Sequence, residues 1–351
     1  MNFNFVILKN EDVNSHLEWE EACVKYGAKY SIIDLTKSDW YENIISHKDA
    51  SCFLHKSSGE INKFKNLFDE RLYVISEILG FMIFPSFKES YIYENKKLLS
   101  YFLKASNIPH PNTDIFYDKK EALLSIHKIK FPLIAKTSIG ASGTGVQILR
   151  NKNDIVRYLN KAFSKNGLKR RFGPNRKTGN ISKWTKKAVG NIPGLIKRIK
   201  HYFNVYNDGQ RGFVIFQEYV QHDFEWRVVK IGNSFFAHKK IKIGEMASGS
   251  KGIEYVTPPK KLLNFCKLIC EKENFNSMAI DIFEDKYGNY FVNELQTIFG
   301  HVQKYILKVD GNMGRYIFKD GDWVFEKGDY NQNLSFNLRL DSVISILNKN
   351  S

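Results

Sequence analysis

The run AIDIFEDKYGNYFVNELQTIFG sets the tightest limit on what this chain can fold into, because it places acids inside apolar segments. Asp281 and Glu294 sit among Ile280, Ile282, Phe291, Val292 and Leu295, in two stretches joined by a turn around Gly288. That pattern predicts two adjacent antiparallel strands. The i, i+2 spacing puts Glu294 and Gln296 on one face. An outer, solvated face is the plain alternative, but a carboxylate in apolar company needs a partner. Oxygen donors converging on one face of a hairpin suit a hard cation such as magnesium.

A second segment, FPLIAKTSIGASGTGVQILR, ends a buried strand at Lys136 and continues into a loop with Gly140, Ser142, Gly143 and Gly145 before the next strand. Such a loop presents backbone N–H groups to phosphate oxygens while the lysine adds a point charge. An ordinary glycine-rich hairpin is the competing reading. The loop lacks the Gly-Lys-Ser/Thr ending of a Walker loop, and its lysine precedes the glycines, the reverse of the protein-kinase order.

In a third segment, FVIFQEYVQHDFEWRVVKIG, an apolar strand runs into Gln217, Glu218, Tyr219 and Val220, and a new strand starts at Glu225-Trp226-Arg227. The first edge can hydrogen-bond a base. The second can supply a ribose acceptor and an anion-binding arginine.

Around these segments the chain reads as α/β in its first part and α+β later. Strand and helix alternate from Met1 to about Phe87, which predicts a small parallel sheet. ENKKLLSYFLKAS predicts a helix that stops before the prolines of NIPHP. TDIFY, FPLIAK and GVQILR read as strands, with helices KKEALLSIHKI and NDIVRYLNKAF between or after them. In the basic stretch that follows, ISKWTKKAVG and PGLIKRIKHYF read as helices. FVIFQEYV, EWRVVKIG and SFFAHKKIKIG read as successive strands of a largely antiparallel sheet. The tail reads as a hairpin and a final helix.

Taken together and in order, these segments resemble the ATP-grasp superfamily, over residues 93–300. The resemblance implies an ATP-grasp fold with an N-terminal Rossmann-like pre-ATP-grasp domain at 1–92, a lid subdomain at 93–216 carrying a basic insertion at 165–211, and a C-terminal subdomain at 217–351 with the metal-binding hairpin. It implies ATP and Mg2+, with Mn2+ as a substitute. Lys96 and Lys136 would touch phosphates together with the loop residues Gly140, Ser142, Gly143 and Gly145. Gln217, Glu218, Tyr219 and Val220 would form the adenine linker, and Glu225 would meet the ribose. Asp281, Glu294 and Gln296 would hold the metal. Arg227 with Lys240 or Lys242 would meet the γ-phosphate or an acyl phosphate. Two positions depart from the pattern: Asn95 stands where an acid often precedes the lysine, and Gln296 where asparagine is usual. The activity implied is ATP-dependent carboxylate–amine ligation, with a surface-glycan precursor or small metabolite as acceptor and a non-carboxylate phosphotransfer as the nearest alternative.

Composition adds two constraints. The net charge of +16 is uneven: residues 165–211 carry 13 Lys or Arg against one acid, Asp208. This suggests an acidic partner, whether a polyanionic glycan, an anionic membrane surface or nucleic acid, with a lysine-rich solvated face as the plain alternative. A non-catalytic nucleic-acid binder would use Phe172, Trp184, Tyr202 and Phe203 as stacking platforms, but leaves Lys136, Asp281 and Glu294 without a role. The four cysteines are scattered, and Cys266 and Cys270 share a helix face, which predicts small buried side chains in a reducing compartment. With no secretory pattern at the start and no long apolar run, the expectation is a cytoplasmic protein.

Overall fold

The structure, a computed structural model, describes residues 3–140, 143, 145–170, 192–243, 246–247, 252–298 and 305–350. Ser142 and the expected helix in ISKWTKKAVG lie outside the described residues.

Three sheets organise the chain. The first is parallel, with strands β1 (Asn4–Lys9), β2 (Lys29–Asp34), β3 (Cys52–His55) and β4 (Ile83–Phe84) in the order β2-β1-β3-β4. This matches the alternation in the sequence. Its central strands β1 and β3 are buried on both sides, as parallel strands usually are, while the edge strand β2 is partly exposed. Phe5, Ile7, Cys52 and Leu54 face one layer, while Val6, Leu8 and Phe53 face the other. Helix α1 (Leu17–Lys25) covers the first side, and α2 (Trp40–Ser46) and α3 (Asn62–Tyr73) the second.

Helix α4 (Phe87–Ile92) was not expected. Its signal was present in the sequence, because Ser86 and Glu89 form a reciprocal capping box. Helix α5 (Lys96–Ala105) follows, capped by the Asn95 side chain at the Leu98 N–H. Its Leu99 and Leu103 enter the core of the largest sheet, while Lys96 and Lys97 reach toward the second sheet.

The second sheet contains β5 (Thr113–Phe116), β6 (Leu133–Lys136), β7 (Val146–Leu149) and β8 (Val214–Glu218) in the order β5-β8-β6-β7. Helices α6 (Lys119–Ser125) and α7 (Lys152–Ala162) supply the apolar layer beneath it. Here the structure corrects the sequence reading. β8 does not precede the next two strands in their sheet, but pairs antiparallel with β5 and β6. It also crosses the expected boundary between residues 216 and 217. Helix α8 (Ile192–Asn207) lies in the basic stretch before it.

The third sheet has nine strands: β9 (Phe224–Ile231), β10 (Ser234–Ile243), β11 (Met246–Ala247), β12 (Ile253–Glu254), β13 (Ser277–Glu284), β14 (Tyr290–Gln296), β15 (Lys308–Val309), β16 (Asn312–Lys319) and β17 (Asp322–Lys327). Its path runs β14-β13-β9-β10-β16-β15. Helix α9 (Lys260–Glu273) packs Leu262, Leu263, Cys266 and Cys270 against it. All four cysteines are free and buried, as expected, and burial pushes the Cys270 thiol up to about 12.

Among the contacts that tie these layers together, two involve the final helix and Glu89. The final helix, α10 (Phe336–Asn350), returns to the first sheet and buries Phe336, Leu340 and Val343 beside Trp19. Glu89 is fully buried and accepts from the N–H groups of Ser86, Asn276 and Ser277, joining α4 to the start of β13. Burial raises its pKa, and those hydrogen bonds oppose the rise.

Glu89→Ala removes that shared acceptor and strands buried amides. We expect it to lower the unfolding free energy in urea by about 3 kcal/mol; a loss below about 1 kcal/mol would contradict the assigned role.

Candidate active site

The expected hairpin forms: β13 and β14 are antiparallel and set Asp281 directly opposite Glu294. β9 lies on the other side of β13 and places Arg227 beside Asp281. β10 then pairs Lys240 with Glu225 across β9. Four neighbouring strands thus bring their charged residues onto one face.

Asp281 is 1% exposed, and its partners account for both of its oxygens. Arg227 donates from Nε to Oδ1 at 2.7 Å and from Nη2 to Oδ2 at 2.8 Å. Lys240 Nζ donates to Oδ2 at 2.8 Å and to Glu225 Oε2 at 2.6 Å. Burial alone would push the Asp281 carboxyl up. Arg227 and Lys240 outweigh it and hold the group well below the usual carboxylate range. Burial likewise disfavours charged Lys240 and Arg227, yet Asp281 keeps both above their ordinary values. Gln296 Oε1 accepts from Arg227 Nη2 at 3.3 Å, so it joins the same cluster.

The lysines arrive from other elements. Lys136 ends β6, is 9% exposed, and donates from Nζ to Asn293 Oδ1 at 2.9 Å. Burial lowers its pKa to about 8, against the pull of Glu294. Lys96, at the first position of α5, lies 3.4 Å from Glu294 Oε1 and 3.4 Å from Glu94 Oε2. Despite burial, those two acids raise its pKa. One small cavity is lined by Lys96, Lys136, Gln217 and Asn293, so residues from all three sequence segments meet at one place.

The glycine loop is anchored to the same corner. Lys96 Nζ donates to Gly140 O at 2.9 Å, and the Gly140 N–H donates to Glu94 Oε2 at 3.1 Å. Where the loop closes, the Thr137 N–H bonds to Gly145 O at 2.8 Å. A Cβ at Gly145 would lie 1.7 Å from Thr137 Oγ1, so only glycine fits there. Gly143 has φ 68°, the left-handed region that glycine enters freely.

Other expected residues stand nearby with different partners. Gln217 is buried and donates to Thr113 Oγ1 at 3.2 Å, while the Glu218 side chain is exposed at the strand end. The Val220 carbonyl oxygen is 2.7 Å from His222 Nδ1. Lys242 does not reach the Asp281 cluster. Its Nζ lies 3.3 Å from the Tyr219 hydroxyl and 3.3 Å from His222 O, leaving Lys240 as the lysine of β10 that enters the cluster.

Sequence reasoning missed Glu94 and Asn293. Asn95, the apparent departure, is a helix cap, and the acid paired with Lys96 stands one position earlier. Asn293 precedes Glu294 in a strand pattern and gave no signal of its own.

No family model matches the chain. The D-alanine–D-alanine ligase of Petrotoga mobilis is 30% identical over 135 residues, 38% of this chain, and the chain spans about two-fifths (41%) of that relative's length. The crystal structure of D-alanine–D-alanine ligase from Bacillus anthracis is 14% identical with a TM-score of 0.56, covering 99% of this chain and 100% of its own. That of a RimK domain ATP-grasp protein from Sphaerobacter thermophilus is 14% identical with a TM-score of 0.52, covering 83% of this chain and 90% of its own. The fold of this chain is the ATP-grasp fold.

Asp281→Asn removes the carboxylate paired with Arg227 and leaves Lys240 with Glu225 alone, and we expect it to cost about 3–5 kcal/mol of stability in urea. Because the folded pKa of Asp281 is depressed, its contribution is full above about pH 4 and is lost as pH falls through lower values. The variant should therefore show a shallower loss of stability on the acid side. An acid limb as steep as in the parent would contradict this.

Proposed function

We propose that this chain is an ATP-dependent ligase that activates a carboxylate as an acyl phosphate and couples it to an amine. The observation that carries the reading is the convergence of Lys96, Lys136, Arg227 and Lys240 on the Asp281–Glu294 hairpin beneath a glycine loop. The ATP-grasp fold and the names of similar proteins support it.

In this reading Lys96, Lys136 and the N–H groups of the glycine loop bind the triphosphate. The end of β8, from Gln217 to Val220, receives the adenine, and Glu225 receives the ribose. The hard oxygen donors Asp281, Glu294 and Gln296 fit magnesium, with manganese as a substitute. Each of them now faces Lys96, Arg227 or Lys240, so these residues would hold a metal only where an anion draws those cations away. Bound there, magnesium would neutralise charge on the phosphate oxygens. A carboxylate oxygen of the substrate attacks the γ-phosphorus, and ADP leaves. The amine then attacks the acyl carbon, orthophosphate leaves, and the amine loses a proton. Arg227 and Lys240 sit where they can steady charge on the transferred group and the developing oxyanion. The acceptor is an acidic metabolite or glycan precursor drawn to the basic stretch at 165–211.

Ligation releases free orthophosphate with ADP, whereas phosphotransfer leaves the phosphate on the acceptor. Turnover of γ-labelled ATP with a panel of acids and amines separates the two, and label retained on a non-carboxylate acceptor would overturn the ligase reading. Lys136→Ala should raise the barrier by about 3–4 kcal/mol; near-normal turnover would remove Lys136 from the mechanism.

The depressed Lys136 pKa gives a further expectation. Phosphate oxygens beside Nζ favour the ammonium form and raise the pKa on binding. Nucleotide affinity should therefore be flat below about pH 8 and fall above it, with a proton taken up on binding at the higher pH. Calorimetry in two buffers of different ionisation enthalpy reads this directly. Proton uptake of zero at pH 9 would contradict it.

A further inference from the structure

Helix α8, IPGLIKRIKHYFNVYN, presents Ile196, Ile199 and Phe203 to solvent. Ile196, Ile199 and Phe203 follow the three- and four-residue spacing of one helix face. They are 61%, 47% and 58% exposed. A surface helix of a globular protein normally turns such a stripe toward the core. Large aliphatic and aromatic residues exposed in a row mark an interaction site.

The charge of the helix and its surroundings selects among occupants. The helix has no acid, and its sequence places Lys197, Arg198 and Lys200 between the apolar positions. Lys161 and Lys169 line an open groove that Tyr206, near the end of the same helix, also lines. A second copy of this chain would bring like charges together, and nucleic acid offers nothing to an isoleucine stripe. A bilayer carrying anionic lipids satisfies both halves of the pattern, with hydrocarbon for Ile196, Ile199 and Phe203 and headgroup charge for the basic residues. No helix among the described residues is long and apolar enough to cross a membrane. With exposed apolar residues, several basic ones and no acid, α8 is suited to lying in the interface.

We propose that α8 docks this protein on anionic membrane surfaces, with Ile196, Ile199 and Phe203 entering the headgroup–acyl boundary. This inference does not depend on the ligase reading, since it concerns a helix that contributes no residue to the Asp281 cluster.

The test is co-sedimentation of the full chain with vesicles of mixed phosphatidylglycerol and phosphatidylcholine, beside vesicles of phosphatidylcholine alone. We expect binding to the mixed vesicles only, weakened by added salt. In Ile199→Ser/Phe203→Ser it should fall roughly tenfold, with thermal stability unchanged. A single Phe203→Trp variant guards against misfolding of the double variant: its added emission should shift to the blue on mixed vesicles and not on neutral ones. Absence of vesicle binding, equal binding to both compositions, or binding unchanged in the double variant would overturn the proposal. So would a self-association or nucleic-acid complex that the double variant abolishes while vesicle binding is absent.

Discussion

A carboxylate at 1% exposure, Asp281, can remain charged inside the largest sheet only because Arg227 and Lys240 meet both of its oxygens. Much of the surrounding geometry follows from that need. Arg227 must come from β9 and Lys240 from β10, so the strand order β14-β13-β9-β10 is the one that closes the pairing. Lys240 in turn holds Glu225, and Arg227 reaches Gln296. Lys96 bridges toward Glu294 from a helix whose apolar side is locked into the same core. Buried ions are costly unless every charge is matched, and here the matching extends over three segments distant in sequence.

Such a cluster suits a site that exchanges charges. Within the cluster the lysines and arginine neutralise the carboxylates. A polyphosphate would compete for the lysines and release carboxylate oxygens to a cation. In this account a polyphosphate would draw the lysines away from the carboxylates, and a cation would take up the carboxylate charge they leave.

The sequence revealed the parts of this arrangement that depend on local pattern. The hairpin carrying Asp281 and Glu294 was legible because both acids stand inside apolar stretches on either side of a glycine turn. Lys136 and its loop were legible because the lysine ends an apolar strand and a run of glycines follows it. The sheet membership of β8 was not, because its pattern is that of any buried strand and only long-range pairing with β5 and β6 decides its place. α4 was overlooked although Ser86 and Glu89 have capping-box spacing, since a helix of six residues leaves almost no periodicity to read. Glu94 and Asn293 were hidden because one sits at a positive φ before the helix and the other is an ordinary polar strand residue. The outward turn of the α8 stripe could not be read at all, because periodicity reveals a face and not the direction in which it points.

The central claim is that the Asp281–Glu294 hairpin and the two lysines form one magnesium-dependent nucleotide site. Isothermal titration with a non-hydrolysable ATP analogue, with and without magnesium, on the parent and on Glu294→Gln tests it most directly. Glu294 is the informative choice because its side chain is partly exposed and Lys96 is its only close ion-pair partner among the described residues. The account predicts binding strengthened by magnesium in the parent, with that strengthening lost in Glu294→Gln while some metal-free binding remains. Binding indifferent to magnesium in the parent, or equally strengthened by it in the variant, would contradict the account.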